Sequence, residues 1–134
     1  MELIKIVVRC VDGRVIKGYA RDFFINKSSF HLELISEENK GKVIEVHLKD
    51  LKAVFFVKDF IGKRSYSERR YFTEGQNPSG RKVVVLFKDG EVLVGSTIGY
   101  DRNRQGFFVF PADPQSNNLK VFVVSSAVSR IDFL

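Results

Sequence analysis

Two loops of this 134-residue chain carry the same polar signature. INKSSF (Ile25–Phe30) and RNRQGF (Arg102–Phe107) each set an Asn beside a basic residue, then two polar or small residues, then Phe. Asn26 with Lys27 and Asn103 with Arg104 could bind phosphate, the amide donating hydrogen bonds and the cation supplying charge. The plainer account is structural and carries more weight: Asn tolerates a left-handed turn and a basic neighbour keeps the tip solvated. A third group, Arg64, Arg69 and Arg70 beside Tyr66 and Tyr71, lies in KDFIGKRSYSERRYFTEGQNPSGR, residues 58–81. It reads as a phosphate-binding edge or, more simply, as a packed crossover with its arginines in water. All seven polar residues are candidate binding positions.

The elements that must position these loops come from an internal repeat. KIVVRCVDGRVIKG (Lys5–Gly18) returns as KVVVLFKDGEVLVG (Lys82–Gly95), 77 residues on. The same offset pairs Asn26 with Asn103, Phe30 with Phe107, Val46 with Val123 and Phe56 with Phe133, without a gap. This is a tandem duplication. It divides the chain into a first unit (1–57), a linker (58–81) and a second unit (82–134). Asp12-Gly13 and Asp89-Gly90 each sit between apolar runs, a hairpin signal. Ile6, Val8 and Cys10 alternate, as do Val83, Val85 and Phe87, so each run is a strand with one face inward. Gly18 and Gly95 fall inside the second strand and predict a bulge or bend. SFHLELI and GFFVFP, VIEVHL and LKVFVV, then LKDLKAVFFV and VSSAVSRIDF complete five short strands per copy. In the linker, Ser65 and Glu68 fit a capping box and predict one or two helical turns from Tyr66 to Phe72.

VVVLFKDGEVLVGSTIGYD (Val83–Asp101) resembles the first sequence motif of Sm-like proteins, the family that includes Hfq-type RNA chaperones. Gly90, Gly95 and Asp101 sit at the motif's spacings. The closing VFVVSSAVSRIDF and VHLKDLKAVFF look like its final strand-turn-strand. The resemblance implies a strongly bent five-stranded antiparallel barrel in each copy and a tendency to extend sheets through strand edges. The fold expected is therefore all-β: two tandem Sm-like small barrels packed with pseudo-twofold symmetry. The RNA-contact pattern departs from the family. Four residues beyond Asp101 stands Gln105 rather than Asn, Phe24 occupies the first copy's Asp position, and Leu48-Lys49 and Ser125-Ser126 replace the expected Arg-Gly. The doubled layout resembles bacterial proteins with no assigned activity.

Catalytic chemistry finds little purchase. His31 and His47 align with Phe108 and Val124, positions that accept apolar groups, and are expected as partly buried packing residues. Cys10 aligns with Phe87 and reads as core rather than nucleophile. The aspartates of the turns are explained by the turns. One Cys and no His-Glu spacing argue against a metal site, the glycines follow strand rather than phosphate-loop logic, and no cofactor is implied. Arg69-Arg70 is similar to the arginines of cyclic-dinucleotide-binding PilZ domains, but QNPSG lacks their spaced Asp/Asn-Ser-Gly partner.

Composition sets the remaining bounds. Hydrophobic residues make up 44% and charged residues 28%, a folded-protein balance. No apolar run approaches the roughly 18 residues of a membrane helix, and the start lacks a signal-peptide pattern. With one cysteine, a cytoplasmic location is the default. The net charge of +6 is spread thinly: 10 basic and 8 acidic residues in 1–57, 6 and 3 in 58–81, 6 and 5 in 82–134. The expectation is a non-catalytic β module acting through protein–protein contact or self-association, with nucleic-acid binding as the alternative and no membrane role.

Overall fold

The computed structural model describes residues 3–62 and 66–134. Among these residues ten strands form: β1 (Ile4–Cys10), β2 (Val15–Ala20), β3 (Ser29–Leu34), β4 (Val43–His47), β5 (Leu51–Val57), β6 (Arg81–Phe87), β7 (Val92–Thr97), β8 (Gly106–Pro111), β9 (Asn118–Val124) and β10 (Val128–Phe133). The only helical pieces among the described residues are three single 3₁₀ turns, at Glu37–Asn39, Leu48–Asp50 and Ser125–Ala127.

The two copies repeat their local physics. Cys10 donates its N–H to Arg14 O (2.9 Å) and accepts from Gly13 (3.1 Å); Phe87 does the same with Glu91 and Gly90 (2.9 Å each). Each is a three-residue loop whose last residue is a left-handed Gly, with φ of +95° at Gly13 and +93° at Gly90. Asp12 Oδ1 and Asp89 Oδ1 accept the N–H two residues on, at 3.0 Å in both copies. Gly18 and Gly95 are not bulges. They let the third strand approach: a Cβ at Gly18 would lie 2.4 Å from Glu33 O, and one at Gly95 2.2 Å from Phe110 O.

All pairings are antiparallel and join into one open sheet, in the order β10-β6-β7-β8-β9-β5-β1-β2-β3-β4. This corrects two expectations. Neither copy closes into a barrel, because β4 and β10 remain edges. Nor are the copies related by a twofold: the second copy's fourth strand (β9) meets the first copy's fifth (β5), a head-to-tail join. The registered pairs are Ala53–Val123, Val54–Phe122, Phe55–Val121 and Phe56–Lys120.

That join mixes the two cores. Val54 and Phe56 of β5 pack with Phe122 and Val124 of β9 in the first core, beside Ile6, Val8, Phe30 and Leu32. Ala53, with Phe55 at its margin, packs with Val121 and Val123 in the second, beside Val83, Val85 and Phe87. Successive side chains alternate faces, so both strands are apolar on both sides and read as continuous runs, AVFFV and VFVV. Fully burying one such side chain is worth about 1.5–3 kcal/mol. Phe23, Phe56, Phe108 and Phe122 meet edge to face across the join, at centroid separations of 5.1–6.2 Å. Lys52 of β5 adds a polar tie. Its side chain is 10% exposed, reaches Asp89 Oδ2 at 2.7 Å, also meets Glu91, and lies over the Phe87 ring.

The histidines differ from expectation. His31 and His47 are exposed, paired with Asp22 (2.7 Å) and Glu45 (3.0 Å). Their counterparts Phe108 and Val124 pack because the first copy lies against that face of the second; nothing among the described residues covers β3 and β4 in the same way.

Candidate binding surfaces

The structure separates the sequence-derived candidates into two places. Asn26 and Lys27 lie in the β2–β3 loop, Asn103 and Arg104 in the β7–β8 loop. Gln105 joins them: its Nε2 donates to Lys27 O (2.6 Å) and Ile25 O (3.3 Å). The Asn-basic signatures are thus neighbours, although 77 residues separate them. Both tips are locally ordered. The Asn103 N–H bonds to Asp101 Oδ1 (2.9 Å) and Arg104 N–H to Asp101 O (3.1 Å). Lys27 Nζ sits over the Phe24 ring, and Arg104 Nε lies 3.8 Å from Asp101 Oδ2.

Beside these loops is a cavity of about 530 Å³ lined by Ser28, His47, Lys49, Arg104, Gln105, Ser125 and Ser126, among others. Ser125 Oγ is buried and has no hydrogen-bond partner among the described residues. Its counterpart Leu48 is a core residue. His47, Lys49, Gln105 and the two serines line this candidate site without being among the sequence-derived candidates. The signal available was the Leu48/Ser125 mismatch, a hydroxyl at a position the other copy fills with an apolar side chain.

Arg69 and Arg70 line a different groove, of about 1040 Å³, which shares no lining residue with the first. Arg9 and Lys17 add basic charge, and Glu68 and Glu91 oppose it. Arg69 is largely committed to structure. Its Nη2 donates to Gln76 Oε1 and Ala112 O, both at 2.8 Å, and its guanidinium lies over the Tyr71 ring. Arg70 is exposed. Arg64 lies outside the described residues.

The same contacts explain why the predicted helix from Tyr66 to Phe72 is absent. Ser65, the proposed cap, lies outside the described residues, but Glu68 accepts a hydrogen bond from Ser116 Oγ instead. Asp113, itself buried, accepts from the Tyr66 hydroxyl and from the N–H groups of Arg69 and Gln115. At Arg69 the linker backbone bonds to the β8–β9 connection, and the linker's own Gln76 N–H to Thr73 O bond closes a turn, not a helix. Burial would push the Asp113 carboxyl upward, but these donors outweigh it and hold it below the usual carboxylate range.

Burial pushes the Cys10 thiol up, away from a reactive thiolate. The Asp22 hydrogen bond raises His31. Among the described residues, no group of three or more His, Cys, Asp or Glu converges as a metal site requires, and no helix is long and apolar enough to cross a membrane.

Fold and surface together define an all-β protein: an open antiparallel sheet of ten strands with basic loops at the seam of two like units. The chain belongs to a family of unknown function, DUF6982, whose model matches residues 3–134. No curated protein and no solved structure matches it.

Proposed function

We propose that this protein is a non-catalytic, Sm-like β module, built of two bent five-stranded units, whose work is protein–protein contact through sheet edges. One observation carries the reading: the two units are joined edge to edge, β5 on β9, and that join leaves the outer edges of β4 and β10 unpaired at the ends of the sheet. An unpaired strand presents a row of N–H and C=O groups that another chain can complete. The Sm-like resemblance implies the same habit of sheet extension. A cytoplasmic setting belongs to the same reading, since the lone Cys10 is buried and unpaired.

The test places proline at edge positions whose N–H points outward. Leu48 N–H bonds to Ser28 O and Leu34 N–H to Lys42 O, so even-numbered residues of β4 face β3 and Glu45 faces out. By the same alternation Ile131 faces out of β10, because Leu134 N–H bonds to Lys82 O. Wild-type protein is expected to self-associate in sedimentation velocity or to retain a protein partner. Glu45→Pro or Ile131→Pro should abolish that while leaving the fold intact. A wild-type chain that sediments as a monomer at every concentration and retains no protein overturns the reading.

A second reading, RNA binding, is favoured by the bridge from Gln105 that gathers Lys27 and Arg104 beside Lys49. It predicts retention of mixed-sequence RNA at about 50 mM salt and steep loss as salt rises. The triple variant Lys27→Ala, Arg104→Ala, Lys49→Ala should lose that retention.

A further inference from the structure

We propose that β10 is the contact through which two copies of this chain form a closed, twofold dimer, with Ile131 opposite Ile131 of the second copy. The inference rests on the edge-contact reading above and names its partner.

The two free edges could meet in another way, by repeating the internal join: β10 of one copy would lie on β4 of the next. The observed register, shifted by the 77-residue repeat, would then set Ile131 opposite Glu45, Asp132 opposite Ile44 and Arg130 opposite Val46. Each charge would occupy a place that the internal join gives to an apolar group. Glu45 stands where Phe122 is 1% exposed, Arg130 where Ala53 is fully buried, and Asp132 where Phe55 packs. Burying unpaired charges is costly, so the edges reject that open-ended, head-to-tail addition.

Pairing of β10 with itself has the opposite outcome. The Leu134–Lys82 bond fixes the alternation: residues 130, 132 and 134 bond inward to β6, and Ile131 and Phe133 direct their N–H and C=O groups to the free edge. Antiparallel self-pairing must bring outward groups face to face, so its twofold centre falls on a residue, not between two. Centred on 130, it sets Arg130 against Arg130; centred on 132, Asp132 against Asp132. Both like-charge pairs are non-hydrogen-bonded pairs, where Cα atoms are only about 4.5 Å apart and repulsion is strongest. Centred on 131, it sets Arg130 of each copy against Asp132 of the other, twice, while the two Ile131 residues exchange N–H···O bonds. Centred on 133, it sets each Asp132 against a Leu134 and pairs no opposite charges. The charges therefore select one register, and it is self-complementary, as a twofold interface requires.

The edge also has apolar surface to cover. Ile131 and Phe133 face the second core but are only partly buried, whereas their counterparts Val54 and Phe56, with β9 beside them, are 0% and 4% exposed. Arg130 and Asp132 now bond to each other along the strand, at 2.9 Å, with their side chains 68% and 45% exposed; the pairing re-aims an exposed ion pair across the new interface.

The test is a charge exchange read by sedimentation velocity. Wild type is expected to dimerise with rising concentration. Arg130→Asp alone sets Asp against Asp, and Asp132→Arg alone sets Arg against Arg. Each should weaken the dimer on the order of tenfold or more, with an unchanged thermal melt of the dilute protein reporting an intact fold. Mixing the two variants restores both opposite-charge pairs, so a heterodimer should appear that neither forms alone. Amide exchange at Ile131 and Phe133 should slow as concentration rises. A wild type that stays monomeric overturns the dimer; the edge-contact reading then stands or falls separately on partner retention blocked by Glu45→Pro. A dimer indifferent to both charge reversals overturns the β10 register, and its dissociation by Glu45→Pro would return the contact to β4.

Discussion

The strands that join the two units and the strands that end the sheet correspond at the 77-residue offset, and the differences between them are confined to one face. In β9, Phe122 and Val124 reach across to the first core; at the same places β4 carries Glu45 and His47, both exposed. In β5, Ala53 and Phe55 enter the second core; β10 carries Arg130 and Asp132. Inward positions stay apolar in all four strands: Val46 and Val123, Val54 and Ile131, Phe56 and Phe133. A strand covered on both faces can be apolar throughout, whereas an edge strand exposed on one face must be polar there to stay soluble and to refuse wrong partners. The two units therefore differ in sequence where their environments differ.

Exchanging residues between the regions tests this most severely. Phe122→Glu installs in the join what β4 carries at its edge. It removes a ring from the four-ring cluster and buries a carboxylate, and should cost about 4 kcal/mol or more, read as loss of cooperative thermal unfolding near room temperature. Glu45→Phe, the reverse exchange, should leave the melting temperature of dilute protein within about 2 °C but promote association as protein concentration rises. If the two exchanges are equally mild, the environments do not differ as described.

Where the copies share an environment, they should respond alike. Gly18→Ala and Gly95→Ala each drive a Cβ against a carbonyl of the third strand, and each should destabilise by about 1–3 kcal/mol in chemical denaturation. A cost at one glycine without the other breaks the equivalence of the units. Lys52→Ser, which copies Ser129, removes a tie found only at the join. It should cost on the order of 1–2 kcal/mol, while the neighbouring Asp89 and Glu91, partly solvated, remain hydrated.

The pH dependence separates the linker's anchor at Asp113 from the exposed face of β3. Asp113 is held below the usual carboxylate range, so its contribution is complete above its unfolded value and is lost as pH falls through the lower folded value. Asp113→Asn should flatten the acid limb of the stability curve. His31 is raised, so its contribution is complete below its unfolded value of 6.5 and is lost as pH rises through the folded one. It is exposed, so this loss, the smallest effect of the series, should be a shallow decline above neutrality that disappears in His31→Ala.

Much of the fold was legible because it is local. The Asp-Gly turns, the alternation of Ile6, Val8 and Cys10, and the two strand glycines act through neighbours in sequence, and the ten strands fall within the apolar runs that give five per unit. The join was not read, though its signal was present: Phe55 against Asp132 and Phe122 against Glu45 are mismatches between otherwise faithful copies. Treating the copies as equivalent made His31 and His47 look buried and suggested a twofold. The linker was misread for a related reason. Glu68 carries a capping-box signature, but its carboxylate and the surrounding backbone are claimed by Ser116 and Asp113, 48 and 45 residues away, a contact that no local pattern encodes. Of the candidate site, the two Asn-basic loops were legible from the repeat, whereas their meeting through Gln105 depends on the join.

The join itself can be tested with one covalent bond. Ala53 and Val123 are directly opposite, in the class of antiparallel pair that leaves Cα atoms about 4.5 Å apart and within disulfide reach. In a Cys10→Ala background, Ala53→Cys with Val123→Cys should oxidise to an intramolecular 53–123 disulfide in the folded protein, seen by peptide mapping, with a raised melting temperature. Free thiols at both positions after oxidation of the folded chain would mean that β5 and β9 are not neighbours, and the account of two units sharing their cores would be wrong.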